Sequence, residues 1–282
     1  MLLLNDDHKK NFIHQNINIK ILMYHRISED ENLCKSHWTY VSSAQLRKQL
    51  LLLDRLGFTP ITFNDYLLYI NGELSLPRKP IILSFDDGYE DVYRIAFPML
   101  KEFGMKAIFF VLGDSSIKTD VWNNGDGTAP SRLINDEQIT DMHESGFEIG
   151  SHTMTHPKLT LMPINIAWEE ISVSKQQLEF IIKSTVKSFS YPYGAVNSSI
   201  KRLVIRAGYL IACGVFTGPP RFGTDRFDFR RIAISNSTNS INFAAKILTP
   251  FEYYEWFGAK TSKAVHRSSN KNNFSEIHEI KN

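Results

Sequence analysis

The sequence alternates short apolar segments with amphipathic segments about seven times between residues 17 and 248. The apolar segments lack the regular polar positions of a half-exposed strand, which is typical of strands buried on both faces of a sheet. Strands that alternate with helices predict a parallel sheet crossed by helices, either closed as a barrel or open and doubly wound. The predicted strands lie at residues 17–24, 80–85, 106–112, 147–150, 186–191, 210–215 and 231–234.

The segments between these strands carry the apolar spacing of helices. The strongest helical pattern begins after Ser42 and Ser43 and ends at Gly57, which are residue types that commonly cap helices. A long loop is predicted at residues 113–132, and loops of that length in a compact domain are usually functional. Further helices are predicted at residues 63–70, 91–103, 136–145, 164–183, 197–206 and 240–248.

The alternating pattern predicts one domain at residues 18–256, with an N-terminal lead at residues 1–17. Residues 257–282 are polar, so we expect a disordered tail there. Of the 282 residues, 43% are hydrophobic and 22% are charged, which excludes wholesale disorder and allows a sizeable core.

Composition excludes several classes of function. The 32 Lys and Arg residues nearly balance the 30 Asp and Glu residues, which leaves no electrostatic footprint for nucleic acid or an anionic membrane. The two cysteines, Cys34 and Cys213, are too few for a disulfide framework or a four-thiolate zinc site. The four apolar residues at the start are too few for a signal-peptide core, and no run reaches the roughly 18 to 20 apolar residues of a membrane span. We therefore expect no nucleic-acid partner, no transmembrane segment and a cytoplasmic location, with action outside the cytoplasm as the alternative.

Four polar segments follow predicted strands at their carboxyl ends, where α/β barrels and open parallel sheets build their sites. The first is Ser-Phe-Asp-Asp-Gly at residues 84–88. Its adjacent carboxylates, Asp86 and Asp87, repel one another unless a cation or separate hydrogen-bond partners keep them ionised. The alternative is an ordinary turn, because Asp-Gly is common turn chemistry.

The second segment, residues 151–157, carries His152 and His156. Two imidazoles four residues apart can face the same way on one helical turn and bind one metal ion. Histidine pairs at this spacing are also found as exposed or structural residues. Here Gly150 precedes the pair and Pro157 follows it, so the chain must bend at this point, which favours a metal site.

The remaining two segments are weaker signals on their own. Residues 189–194 read Phe-Ser-Tyr-Pro-Tyr-Gly, which is either a turn or a loop that presents a backbone N–H and aromatic faces to a pocket. Sugar rings stack on such faces, and Tyr191 is one candidate. His25 ends the first predicted strand and is an ordinary structural histidine unless the fold places it beside the other three segments.

The order and spacing of these motifs over about residues 18–250 resemble the polysaccharide deacetylase family, also called NodB-homology or family 4 carbohydrate esterases. The resemblance implies a single deformed (β/α)7-type barrel of mainly parallel strands. It also implies a metal-dependent hydrolase that removes acetyl groups, usually from N-acetylglucosamine units, so the expected partner is an N-acetylated glycan or saccharide.

The resemblance also assigns roles to individual residues. Asp86 becomes the general base, and the backbone N–H of Tyr193 becomes an oxyanion donor. One divalent metal ion is implied, with zinc expected and cobalt, nickel or iron also suited to this ligand set. Its ligands would be Asp87, His152 and His156.

The sequence departs from the common family pattern in two places. Many members carry an arginine, which steadies the base, where this chain has Ser190, so Arg230 or Arg231 near the last strand is the candidate replacement. Residues 240–258 contain no histidine, although the usual general acid is a C-terminal histidine. A subgroup resembling the circularly permuted poly-N-acetylglucosamine deacetylases places its acid histidine after a tyrosine on an N-terminal strand, which makes His25 the expected acid.

Three functions follow from these residues. The first is removal of N-acetyl groups from a polysaccharide or lipid-linked saccharide. An O-acetyl esterase is the second, and an inactive member that only binds glycan is the third. The oligomeric state and the glycan linkage stay open, and further candidates for stacking on sugar are Trp38, Trp122 and Phe222.

Overall fold

A parallel sheet forms the centre of the protein in the computed structural model, which describes residues 19–123, 130–215 and 225–251. The N-terminal lead, the C-terminal tail and Phe222 lie outside the described residues. The strands of the described part are β1 Lys20–Tyr24, β2 Arg26–Ser28, β3 Tyr40–Ser42, β4 Thr59–Ile61, β5 Pro80–Phe85, β6 Ile108–Val111, β7 Glu148–Ser151, β8 Ser188–Ser190, β9 Ile211–Cys213 and β10 Ile232–Ala233.

The strand order in the main sheet is β10-β1-β5-β6-β7-β8-β9, and β4 pairs with the first half of β5. Every pair in this sheet is parallel. The chain just before β10 also pairs with β9, through a parallel bridge between Cys213 and Phe229. One short stretch of chain thus contacts both ends of the sheet, and the expected α/β fold, a deformed barrel of mainly parallel strands, is confirmed.

Helices connect the strands and cover the outer face of the sheet. Most begin at a side-chain cap, as in the capping box formed by Ser42 and Gln45. A π-helical turn, Val92–Ala96, runs into the fourth helix because Pro98 has no N–H to bond the carbonyl one turn earlier. The α-helices are α1 Glu31–Ser36, α2 Ser43–Arg55, α3 Phe63–Ile70, α4 Phe97–Glu102, α5 Asp136–Glu144, α6 Ile164–Ile182, α7 Ser198–Arg206 and α8 Ser240–Leu248.

The predicted helices and long strands are confirmed, but the sequence analysis missed the elements between residues 26 and 42 and the strand β4. In the first region β2 and β3 form a separate two-stranded parallel sheet, with α1 between them. Three-residue strands are too short to show a repeating pattern of apolar residues, which is why no periodic signal marks them.

The main strands bury both faces, as their apolar sequences predicted. In β5, Ile82 packs in a smaller cluster with Ile21, Ile108 and Phe110, whereas Leu83 packs with the outer helices. Since side chains alternate along a strand, Ser84 and Asp86 share the face of Ile82. The smaller cluster therefore leads directly to polar residues at the carboxyl edge of the sheet.

Among the described residues, we find no helix that combines the length and apolar character needed to cross a membrane.

One glycine is required by the packing on the inner face. A Cβ at Gly150 would lie 2.5 Å from the ring of Phe110 and 2.8 Å from Ser188 Oγ. We expect Gly150→Ala to lower the free energy of unfolding by about 1–3 kcal/mol, because the added methyl group overpacks the core. Gly214→Ala is the matched control, since its Cβ would meet no described neighbour closer than 3.9 Å. Urea unfolding measures both variants, and equal stability of the two would contradict this account of the packing.

Candidate active site

The four polar motifs meet at the carboxyl edge of the sheet. His25 follows β1, Asp86 and Asp87 follow β5, His152 follows β7, and Tyr193 lies in a 3-10 turn after β8. Because all these strands are parallel, their carboxyl ends point to the same edge. The fold therefore brings together residues that are up to 168 positions apart, from His25 to Tyr193.

Asp87, His152 and His156 form a buried cluster, called here the metal cluster. Asp87 Oδ1 lies 3.2 Å from the Nε2 atom of each histidine. One ligand atom from each residue lies within 4.8 Å of the other two, which is a spacing that could hold one metal ion. The three residues expected to bind metal are therefore brought together by the fold.

The hydrogen bonding of His152 fits a cation at this cluster. Its Nδ1 lies 2.8 Å from the carbonyl oxygen of Ser190, and because a carbonyl only accepts, Nδ1 carries the proton. In the neutral ring, Nε2 then presents a lone pair to the carboxylate of Asp87. Two acceptors face one another stably only with a proton or a cation between them, and two imidazoles with one carboxylate suit zinc, cobalt, nickel or iron.

Electrostatics keep the Asp87 carboxylate ionised. Burial raises its pKa, but the neighbouring imidazoles of His156 and His152 outweigh burial and hold the pKa well below its usual range. An ionised, buried carboxylate beside two imidazole nitrogens is a strong ligand set for a divalent ion.

Backbone strain is concentrated in the predicted motifs. Five described residues other than glycine have positive φ, and four of them are Asp87 at 73°, Thr153 at 70°, His156 at 66° and Tyr193 at 57°. Left-handed conformations at residues with a Cβ are costly and are retained where the surrounding structure demands them. The strain here points to side chains that must be aimed in particular directions.

The histidine pair lies where the sequence predicted a bend, and the two imidazoles are close together, with ring centroids 4.9 Å apart. Both histidines lie in an irregular loop after β7. Glu170 on α6 accepts hydrogen bonds from the backbone N–H groups of Met154 and Thr155, each at 2.9 Å. These N–H groups are therefore not available for the hydrogen bonds of a helix. The sequence analysis missed Glu170, because nothing local links a glutamate in a helix to a loop 15 residues earlier.

Asp86 is held by a buried arginine. Arg231 Nη1 and Nη2 donate to the two carboxylate oxygens of Asp86 at 2.7 and 2.6 Å. The remaining N–H groups of Arg231 donate to Ser84 Oγ, Ser190 Oγ and the carbonyl of Gly214. Burial raises the pKa of Asp86, but the guanidinium outweighs burial and lowers it below the usual value.

The structure distinguishes the two arginines that were candidates to support Asp86. Arg231 is fully buried and pairs with Asp86, whereas Arg230 pairs with Asp228 instead. Ser190 completes the arrangement by donating its hydroxyl to Asp86 Oδ2 at 3.1 Å. Its hydroxyl also accepts a hydrogen bond from Arg231 Nη2 at 2.9 Å, so Ser190 bonds both members of the pair.

His25 lies beside this site with one unpartnered ring nitrogen. It is buried, and within the described residues its Nδ1 has no hydrogen-bond partner. Burial lowers the pKa of His25, and the nearby carboxylates of Asp87 and Asp86 oppose that shift. Trp38 packs against the imidazole edge to face, with ring centroids 5.4 Å apart.

The two tyrosines of the third motif have different environments. Tyr193 is 45% exposed, and its ring contacts His156 edge to face at 4.7 Å. Tyr191 is fully buried, and its hydroxyl donates to the carbonyl of Phe227. The expectation that Tyr191 stacks on a sugar is therefore wrong, because its ring has no exposed face.

Exposed or partly exposed aromatic rings lie on two sides of the site. Trp38, which is 48% exposed, lies on the His25 side. On the other side Trp122 stacks on His156, with ring centroids 4.3 Å apart. Trp38, Trp122 and Tyr193 thus each contact a histidine of the site through their rings.

A parallel barrel with clustered carboxylates and imidazoles at its carboxyl edge defines a class of α/β-barrel proteins with a candidate metal centre. The sequence profile described as polysaccharide deacetylase matches residues 74–212. The matched region contains Asp86, Asp87, both histidines of the metal cluster and Tyr193, and leaves out His25 and Arg231. Residues 74–212 therefore form a polysaccharide deacetylase domain.

Individual relatives agree with this assignment. YxkH of Bacillus subtilis (strain 168), assigned by name to the polysaccharide deacetylases, is 27% identical over 231 residues, which cover 81% of this chain and 76% of YxkH. The poly-beta-1,6-N-acetyl-D-glucosamine N-deacetylase of Staphylococcus aureus (strain MRSA252) is 25% identical over 177 residues, which cover 60% of this chain and 58% of that enzyme. The structure of the Streptococcus pyogenes deacetylase PplD in complex with acetate shares the fold, with a TM-score of 0.70 and 22% identity over 82% of this chain and 98% of PplD.

The buried pair of Asp86 and Arg231 yields a stability test. Removing one member of a buried pair leaves an uncompensated charge, so we expect Arg231→Met to lower the free energy of unfolding by about 3–5 kcal/mol. The double variant Asp86→Asn/Arg231→Met has no such charge and should be more stable than Arg231→Met alone. Urea unfolding measures this difference.

The exposed pair of Arg47 with Glu102 provides the control. Its side chains are about half exposed and well solvated, so Arg47→Met should change the unfolding free energy far less than Arg231→Met does. A double variant no more stable than Arg231→Met would show that the unpaired carboxylate is not the source of the loss.

Proposed function

We propose that the protein is a metal-dependent hydrolase that removes N-acetyl groups from N-acetylglucosamine-type units of a glycan. The observation that carries the proposal is the buried metal cluster beside a carboxylate, Asp86, that is separately held by Arg231. Asp87 is thus oriented toward the two imidazoles, while Asp86 stays outside the metal cluster and is available as a general base. The named activity of the Staphylococcus aureus relative supports the choice of substrate class.

A divalent ion held by Asp87, His152 and His156 would polarise the acetyl carbonyl and acidify a water molecule. The residues around the cluster then divide the other tasks. Asp86 accepts a proton from the attacking water, a role that typically contributes about 10²- to 10⁴-fold to the rate. Arg231 keeps Asp86 ionised and fixes both of its oxygens, so the base does not turn away from the site.

His25 is the proposed donor of a proton to the departing amine. An amine leaves poorly without a proton, so an acid is needed on the leaving-group side of the bond. Asp87 and Asp86 favour a proton on His25, and burial opposes it. The backbone N–H of Tyr193 is the proposed hydrogen-bond donor to the developing oxyanion. Loss of one such donor commonly raises the activation free energy by about 3–4 kcal/mol.

An O-acetyl esterase is the second candidate function. The observation that favours it is the burial of His25 without a partner for Nδ1, which lowers its pKa and disfavours the charged form. An ester releases an alcohol, a better leaving group than an amine, and needs less help from an acid. The two candidate functions therefore differ in how much they depend on His25.

Acetate release tests the roles of the metal and of Asp86. We expect the protein loaded with zinc or cobalt to release acetate from N-acetylglucosamine oligomers, and a chelator to abolish the release. Asp86→Asn should lower the rate about 10²- to 10⁴-fold, since the amide cannot take the proton. Its metal content should stay at the wild-type level, because Asp86 lies outside the metal cluster. Acetate assays and elemental analysis provide the two measurements.

Asp141→Asn is the matched control for this experiment. Asp141 lies on α5 and accepts a hydrogen bond from the hydroxyl of Tyr93, so the same substitution there should leave acetate release unchanged. Full activity of Asp86→Asn would exclude Asp86 as the base. Glycan binding by the wild-type protein without acetate release from amide or ester substrates would exclude both hydrolase functions.

Substitution of His25 separates amide from ester hydrolysis. We expect His25→Asn to lower acetate release from N-acetyl substrates about 10²- to 10⁴-fold, and from O-acetyl substrates by less, because only the amine must be protonated to leave. Parallel assays on N-acetylglucosamine oligomers and an O-acetylated glycan measure the two losses. His143→Asn on α5 is the control and should change neither rate. Equal losses on both substrates would contradict the acid role of His25.

A further inference from the structure

The two imidazoles of the metal cluster are held in different ways. His152 donates its Nδ1 proton to the carbonyl oxygen of Ser190, as metal-binding histidines usually do to a carboxylate or carbonyl. His156 has no such partner: its Nδ1 is buried and makes no hydrogen bond to any described residue. A different interaction must therefore hold the ring of His156.

Aromatic rings supply that interaction. The indole of Trp122 lies nearly parallel to the His156 ring, with an interplanar angle of 28° and a centroid distance of 4.3 Å. Tyr193 contacts the same imidazole edge to face at 4.7 Å. Such contacts restrict rotation of the His156 ring about its side-chain bonds, which a hydrogen bond at Nδ1 would otherwise do.

A buried ion pair holds Trp122 in place. The 3-10 turn that carries Trp122 begins directly after Asp120, whose carboxylate pairs with the guanidinium of Arg26. Asp120 also accepts a hydrogen bond from the hydroxyl of Tyr89, and its own N–H donates to the carbonyl of Ser131. Because Arg26 follows His25 and Tyr89 lies two residues after Asp87, this network ties the Trp122 turn to two other parts of the site.

We propose that Trp122 is a positioning residue for the metal cluster, whose indole face holds His156 in the orientation that points Nε2 toward Asp87. This inference rests on the metal dependence in the proposed function. The indole N–H is buried and makes no hydrogen bond to a described residue, so stacking is the contact that Trp122 makes with His156. A phenyl ring at this position should preserve the effect, and a side chain without a ring should lose it.

Metal affinity of the full-length protein tests the proposal without reference to activity. The apoprotein is titrated with zinc against a chromophoric chelator, and separately with cobalt followed by its visible absorption. Trp122→Ala should weaken zinc binding about 10- to 100-fold, the usual cost of removing a group that orients a ligand. Trp122→Phe should bind close to the wild-type value, because it keeps an aromatic face.

Trp168→Ala is the matched control, since Trp168 on α6 packs against the guanidinium of Arg206. It should bind zinc like the wild-type protein. Thermal unfolding of each apoprotein shows whether the variants fold. If Trp122→Ala is unfolded, Trp122→Leu takes its place, and it should bind more weakly than Trp122→Phe.

Two results would overturn the proposal: a folded Trp122→Ala or Trp122→Leu with wild-type zinc affinity, or an equal weakening in Trp168→Ala. A wild-type protein that binds no zinc or cobalt would overturn it together with the metal dependence of the proposed function. A wild-type protein that binds metal but releases no acetate would contradict the proposed function alone and leave the role of Trp122 standing.

Discussion

The buried pairing of Asp86 with Arg231 is the interaction on which the rest of the site depends. Both charges are removed from water, which a protein tolerates only when each is paired and fully hydrogen-bonded. Arg231 meets this condition by bonding at once to the carboxyl end of β5, to Ser190 on β8 and to the carbonyl of Gly214 after β9. The pair thus joins the residue just before the last strand to the carboxyl end of β5, and it gives Asp86 a different partner from that of the adjacent Asp87.

The metal cluster lies directly beside this pair. With Asp86 held by Arg231, Asp87 adopts a left-handed backbone conformation and places its carboxylate between two imidazoles. The loop that carries the imidazoles is shaped by Glu170, which takes two backbone N–H groups away from any helix. Strained backbone and buried charge coincide here, as they do in sites whose geometry is built before a ligand arrives.

Much of this arrangement was predictable from the sequence, and the failures have physical causes. The predicted bounds of α3, β5 and α8 match the structure, because long apolar patterns and capping residues are local signals. The contact of Glu170 with the loop of the histidine pair was missed because Glu170 lies on another element, α6. Tyr191 was misjudged because aromatic residues in a turn look the same whether they pack inward or outward.

The sequence by itself determined the fold class, the motifs at the strand ends and, through its resemblance to a family, the class of chemistry to test. All of these depend on residues close together in the chain. Only the tertiary structure decided that Arg231 rather than Arg230 meets Asp86, across 145 positions, and that Trp122 covers His156. Such contacts exist only once the sheet curves back on itself, because strand order and register bring distant residues together and no local pattern encodes either one.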